Sequence, residues 1–86
     1  MEINKEEFIT WAKSKGNEEY EYGSSTNCAL AQFLKFKGFR NPSVGPCDFS
    51  VNRDYKKQYF VPEWLRNAFL LDYKSDNFAT LVQHIH

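Results

Sequence analysis

The apolar residues of this chain recur at helical spacing in four short segments, each ending within about three turns. The last segment has the strongest pattern, because Phe78, Leu81, Val82 and Ile85 fall at positions i, i+3, i+4 and i+7. Alternating aromatics and pairs such as Asn-Pro and Gly-Pro separate the segments, which is typical of strands and turns. The pattern predicts short helices combined with a small sheet.

The first helix has the clearest boundaries. Asn4 is a suitable N-cap, and Glu7 completes a capping-box pattern three residues later. Ile3 and Phe8 occupy the two positions of a hydrophobic staple, and Gly16 ends the segment. The second helix is predicted over residues 27–37. The N-terminal signals of the later helices are Ser25, Thr26 or Asn27 for the second, Pro62 at the first position of the third, and Ser75 or Asp76 for the fourth.

Two further stretches predict strands. Glu19 to Tyr22 alternates Glu and Tyr, the pattern of a short strand with one buried face. The run DFSVNRDYKKQYFV predicts a β-hairpin with a turn of three to four residues around Asn52-Arg53-Asp54. We therefore predict an α+β fold in a single domain, residues 1–86, with three to four short helices packed on a two- or three-stranded antiparallel sheet.

Aromatic residues make up 17% of the chain and supply much of its expected core. The residues predicted to form one buried cluster are Phe8, Trp11, Leu30, Phe33, Leu34, Trp64, Leu65, Phe69, Phe78, Leu81 and Val82. The first residues lack the basic start and apolar run of a secretory signal, and no stretch has the length of a membrane span. With only two cysteines, we expect a reduced cytosolic domain that needs no cofactor.

Cys28 opens the second predicted helix, where backbone N–H groups and the helix dipole lower the pKa of a cysteine. On that helix it lies toward Gln32 and Lys35, away from the centre of the apolar arc. The segment NCALAQFLKFKGF resembles the nucleophile helix of papain-like cell-wall peptidases. Such enzymes also need a histidine oriented by a third polar residue. The only histidines, His84 and His86, end the chain, so a Cys28-dependent enzyme remains an alternative to the non-enzyme that we expect.

The two cysteines and two histidines also bear on metal binding. Cys28, Cys47, His84 and His86 are potential ligands, but no CxxC or HxxxH spacing pairs them. On a continuing helix the rings of His84 and His86 point about 200° apart. We therefore predict no metal site.

Charge is balanced over the chain but not along it. Residues 35–57 hold six bases against Asp48 and Asp54, namely Lys35, Lys37, Arg40, Arg53, Lys56 and Lys57. Such a segment suits a nucleic acid or an acidic protein surface. A dedicated DNA-binding domain is usually basic overall, whereas this chain has a formal net charge of +0. Direct nucleic-acid contact is therefore an alternative to a protein partner.

An ordered series of segments resembles small accessory proteins encoded by bacteriophages and prophages. It comprises the N-terminal amphipathic helix, YEYGSSTNCALAQFLKFKGF, VPEWLRNAF and NFATLVQHI. This resemblance carries no catalytic signature and transfers no functional residues. It implies a phage protein in the cytoplasm of a bacterial host. By analogy with other small phage proteins, we expect stoichiometric inhibition of a host defence system of the CRISPR or restriction type, with a small structural protein as a further alternative.

The hairpin is where we expect the partner to bind. Alternation directs Phe49 and Val51 inward and leaves Tyr55 or Tyr59 beside three bases on the open face. Tyr and Arg are enriched in binding hot spots. The predicted partner is a host protein or a protein–nucleic acid complex, with no membrane involved. The predicted partner-binding residues are Arg53, Tyr55, Lys56, Lys57 and Tyr59.

Overall fold

The structure is a computed structural model and describes residues 1–85. Within this range the elements are, in chain order, α1 (Lys5–Ser14), α2 (Ala29–Phe36), β1 (Ser43–Val44), β2 (Asp48–Ser50), β3 (Tyr59–Phe60), α3 (Glu63–Asp72) and α4 (Phe78–Gln83). The strands form an antiparallel sheet in the order β1-β2-β3. The predicted α+β fold is confirmed. None of the helices in residues 1–85 is long and apolar enough to cross a membrane.

Helix α1 begins where the sequence predicts, because its N-cap acts within the first turn of the helix. The side-chain oxygen of Asn4 accepts a hydrogen bond of 2.8 Å from the backbone N–H of Glu7. Gly16 follows the helix with a φ of +59°, in the left-handed region that favours glycine. Phe8, Trp11 and Ala12 are the buried residues of the helix.

Helix α2 begins later than predicted. Its N-cap is Cys28, whose side chain makes no capping hydrogen bond, so Ser25, Thr26 and Asn27 are wrong as N-caps. Those residues belong to a separate turn, in which the hydroxyl oxygen of Ser24 accepts a hydrogen bond of 3.0 Å from the N–H of Asn27. Because Cys28 precedes the helix, helical spacing does not determine where its side chain points. The side chain is buried in the core.

The predicted strand from Glu19 to Tyr22 is wrong. Glu19 forms only an isolated bridge with Asn77. The backbone N–H of Tyr20 donates to the carbonyl of Asp76 at 2.9 Å, so this segment pairs with the turn before α4 instead of with another strand. Tyr20 is buried and Tyr22 is partly exposed, which explains the alternation in the sequence without a sheet.

The hairpin is confirmed, but its connection is longer than predicted. Phe49 pairs with Tyr59, and residues 51–58 join the two strands through two successive turns. In the first turn Asn52 and Arg53 both have positive φ values, of 58° and 59°. The side-chain oxygen of Asn52 accepts a hydrogen bond of 2.9 Å from the N–H of Arg40, which ties the turn to the end of α2. Strand β1, which the sequence did not predict, pairs with β2 on the side away from β3.

The last two helices begin one or two residues from their predicted starts. Pro62 is the N-cap of α3 and not its first residue. The N-cap of α4 is Asn77, whose side-chain oxygen accepts from the N–H of Ala79 at 2.8 Å, so Ser75 and Asp76 are wrong. Asp76 instead has a φ of 48° and belongs to the turn that contacts Tyr20.

Eight of the eleven residues that the sequence placed in the core are buried in one cluster. Phe8, at 0% exposed, lies at its centre, with ring centroids 5.1 Å from Phe33 and 5.8 Å from Trp64. These contacts join α1 to α2 and α3. Three of the predicted members are only partly buried and pack against the edge of the cluster, namely Trp64, Phe69 and Val82.

One polar pair is buried beside this core. The hydroxyl of Tyr20 donates a hydrogen bond of 2.5 Å to Oδ2 of Asp72, and the Asp72 side chain is fully buried. Burial, and next the contact with Asp72, raise the pKa of Tyr20 well above its usual range. The neutral hydroxyl is therefore the form that the fold stabilises.

This pair predicts how stability depends on pH. The pKa of Tyr20 is higher in the folded chain than the value of about 10 in an unfolded one, so its contribution is complete below about pH 10 and is lost as pH rises further. We expect Tyr20→Phe to lower the free energy of unfolding by about 1–3 kcal/mol near pH 8, because Asp72 then keeps only the long hydrogen bond of 3.4 Å from the backbone N–H of Asn77.

Urea unfolding of both proteins at increasing pH measures this effect. The advantage of the unmodified chain over Tyr20→Phe is expected to shrink above about pH 10. Tyr55→Phe, at an exposed tyrosine, is the matched control and should follow the unmodified chain. A constant difference across the alkaline range would contradict this assignment.

Candidate functional site

A groove of about 550 Å³ runs along one side of α3. Its opposite side is formed by the segment from Tyr22 to Cys28 and by the turn between β1 and β2. Two backbone hydrogen bonds hold these parts together: the N–H of Val44 donates to Ser25 at 2.8 Å, and that of Val61 donates to Cys47 at 2.9 Å. We call this feature the α3 groove.

The lining of the α3 groove is mainly apolar. Three of its polar side chains come from successive turns of one face of α3, where Glu63, Arg66 and Asn67 lie at positions i, i+3 and i+4. The apolar lining comes from three parts of the chain, and includes Tyr22, Val44, Pro46, Val61, Phe69 and Leu70. Apolar walls with a few convergent polar groups are typical of binding sites.

Both cysteines also line the α3 groove, and neither forms a disulfide. Burial raises the pKa of the Cys28 thiol, which outweighs the backbone N–H groups of Ala31 and Leu30 and the positive charge of Lys35. A nucleophilic cysteine needs a shift in the opposite direction. Cys28 therefore presents a thiol to the groove, whereas Cys47 is exposed.

The histidines do not complete a site in the part of the chain that the structure describes. His84 is the C-cap of α4, and His86 lies outside the described residues. Within residues 1–85 no group of three or more His, Cys, Asp and Glu side chains is placed to hold a metal ion.

Large apolar side chains extend from the α3 groove onto the outer surface. Tyr22 and Leu70 line the groove and are 41% and 64% exposed. Tyr73, at the end of α3, is 51% exposed, and its ring centroid lies 6.1 Å from that of Tyr22. We call Tyr22, Leu70 and Tyr73 the α3 patch. Exposed apolar side chains that cluster in this way mark interaction sites.

The predicted partner-binding residues lie in and beside the hairpin connection. Arg53, Tyr55, Lys56 and Lys57 are all exposed. Tyr59 is only partly exposed, because it pairs with Phe49 on the inner face of the sheet, with ring centroids 5.6 Å apart.

Phe49 and Val51 are buried, as predicted, and Ser50 between them is buried as well. The most exposed aromatic of the hairpin is Phe60, at 85%, which is not among the predicted partner-binding residues.

Two of the six clustered bases make contacts within the chain, so the six do not form one surface that is open to a partner. Lys35 donates to the backbone carbonyl of Thr26 at 2.7 Å, and Lys37 forms an ion pair of 2.5 Å with Glu7. Both contacts fasten α2 to its neighbours. The exposed bases that remain in the hairpin connection are Arg53, Lys56 and Lys57.

Sequence reasoning missed the α3 patch and the α3 groove. One signal was present: Leu70 and Leu71 follow the predicted core residues Trp64, Leu65 and Phe69 on the same helix. A helix cannot bury apolar residues around most of its circumference when it packs on one side only. Both leucines are exposed. The sequence alone shows that this helix has more large apolar residues than one buried face can hold.

No protein-family model matches this chain, and no match was found among curated proteins or solved structures.

Proposed function

We propose that this chain acts by stoichiometric binding to a protein and does not catalyse a reaction. The observation that carries the proposal is the α3 patch, in which Leu70 and two tyrosines present apolar area next to a groove. Burying such side chains against a partner would stabilise the complex by about 25 cal/mol for each Å² of apolar surface removed from water. Tyrosine brings large area at low entropic cost, so a patch of this composition suits a protein partner.

The resemblance to small phage and prophage accessory proteins supports a more specific proposal. In it the chain is a phage protein that acts in the cytoplasm of a bacterial host and inhibits a defence system of the CRISPR or restriction type. Its partner is a host protein or a protein–nucleic acid complex, and it needs no cofactor. The balanced net charge supports a protein surface over bare nucleic acid as the principal contact.

Affinity capture of the tagged chain from a bacterial lysate, followed by mass spectrometry, tests the proposal. The recovered protein is then purified and mixed with the chain. We expect a complex of fixed stoichiometry in which the mass of the partner is unchanged. Turnover of the partner at substoichiometric amounts of the chain would contradict binding as the mode of action.

A second candidate function is nucleic-acid contact through the hairpin connection, favoured by the three exposed bases there. If this second function holds, replacing Arg53, Lys56 and Lys57 with Glu is expected to abolish nucleic-acid binding, because it reverses the charge of this surface. Thermal unfolding should change little, since all three side chains are exposed. The triple variant Lys5→Glu/Lys13→Glu/Lys15→Glu controls for the altered net charge, because it replaces the same number of bases on α1 and the turn that follows it.

Salt separates the two functions. Binding to bare DNA or RNA falls steeply as salt rises, whereas a protein partner held by aromatic and apolar contacts stays bound. Partner binding by the triple variant of the hairpin at the affinity of the unmodified chain would exclude the hairpin connection from the interface.

A further inference from the structure

An arginine on the α3 groove has no partner among residues 1–85. Arg66 makes no ion pair with any other residue in the described range, and its Nε is buried without a hydrogen-bond acceptor. A carboxylate matches the forked donors of a guanidinium better than any other side chain, because it accepts two parallel hydrogen bonds.

The walls around Arg66 show that a carboxylate alone would not fill the site. Val44, Val61 and Leu70 leave a volume of about 550 Å³ that is mainly apolar. Glu63 lies one turn before Arg66 on the same lining and repels a second negative charge there. The groove therefore suits an apolar group with one carboxylate placed at the Arg66 end.

The surroundings indicate that this group belongs to a protein. Tyr22 and Leu70 line the groove and also belong to the α3 patch, so the apolar surface continues beyond the groove. A small molecule held inside the groove would leave Tyr73 uncovered. A peptide segment of a larger partner covers the groove and the patch together.

We propose that the α3 groove receives a segment of the partner in which a large apolar side chain lies next to Asp or Glu. The apolar side chain packs between Val61 and Leu70, and the carboxylate accepts hydrogen bonds from the guanidinium of Arg66. This inference rests on the proposed function and names the chemistry of the partner at that site.

Selection from a displayed library of random dodecapeptides tests the inference. We expect peptides selected on the unmodified chain to share a large apolar residue adjacent to Asp or Glu. Selection on Arg66→Gln should retain the apolar residue and lose the acidic one. Glu63→Gln is the matched control on the same face of α3 and should keep both. Selected peptides without an acidic position, or with the same acidic position on Arg66→Gln, would overturn the inference.

A synthetic peptide with the selected sequence then locates the contact. Replacing its acidic residue with the corresponding amide should weaken binding to the unmodified chain at least tenfold and leave binding to Arg66→Gln unchanged. Saturating peptide should slow the alkylation of Cys47 by iodoacetamide about tenfold, since this exposed thiol lines the groove. Equal losses on both proteins, or unaltered alkylation, would overturn the inference.

The failure of this inference is distinct from failure of the proposed function. A captured partner that binds Arg66→Gln as tightly as the unmodified chain would refute the acidic contact and leave stoichiometric binding intact. Thermal unfolding of Arg66→Gln verifies that the variant is folded.

Discussion

We expect Phe8→Ala to lower the free energy of unfolding by about 3–5 kcal/mol. Phe8 is fully buried, and its ring contacts Trp11, Phe33 and Trp64, which lie on three helices. Removing the ring leaves a cavity between these helices, and a shift of one helix alone cannot fill it. A chain of this length has a total stability of only about 5–13 kcal/mol. The variant therefore loses a large part of its stability or unfolds.

Chemical denaturation monitored by tryptophan fluorescence measures the change. Phe60→Ala is the matched control, because it removes the same side chain where it is 85% exposed. We expect it to change stability by no more than about 0.5 kcal/mol. Equal unfolding free energies for the two variants would contradict the placement of Phe8 at the centre of the core.

The parts of the fold that sequence predicted well are those that depend on neighbouring residues. Helix α1 follows from Asn4 at its N-terminus and Gly16 after its end, both of which act within one turn. The core list succeeded because helical spacing alone decides which of these side chains share a face. Helix α2 was misplaced by two residues because its preceding turn contains several residues that suit an N-cap.

The strands were harder to predict for a physical reason. Strands β1 and β3 have two residues each, too few for a period of two to be recognised. The alternation of Tyr20 and Tyr22 has another origin, since Tyr20 is buried through its bond to Asp72, far along the chain. The hairpin connection was longer than expected because Asn52 bonds to Arg40, a contact that local sequence does not encode.

The α3 groove was beyond prediction because three distant segments form it. Its width depends on the bonds of Val44 to Ser25 and of Val61 to Cys47, which join separate parts of the chain. The charge of the hairpin bases was enough to predict that they are exposed. For α3, the sequence indicated only that the helix has more leucines than its core face needs, and not that they lie beside a groove.

The second prediction concerns the surface that carries the proposed function. We expect Leu70→Glu to weaken partner binding at least about 30-fold, as truncating or charging a hot-spot residue costs about 2 kcal/mol or more. Leu70 is 64% exposed, so the substitution should leave the fold and its thermal unfolding nearly unchanged. The loss arises because a carboxylate would be buried in the interface without a partner.

Leu71→Glu is the matched control. Leu71 is exposed on the same helix but points about 100° away from Leu70, and it does not line the α3 groove. The two variants have the same charge and the same change in side-chain type. Only the position relative to the α3 patch differs between them.

Calorimetric titration of the captured, purified partner with the unmodified chain, Leu70→Glu and Leu71→Glu tests binding through the α3 patch most directly. The dissociation constant is expected to rise at least about 30-fold for Leu70→Glu and to stay within about threefold for Leu71→Glu. An unchanged dissociation constant for Leu70→Glu, or equal losses in the two variants, would contradict the α3 patch as the binding surface.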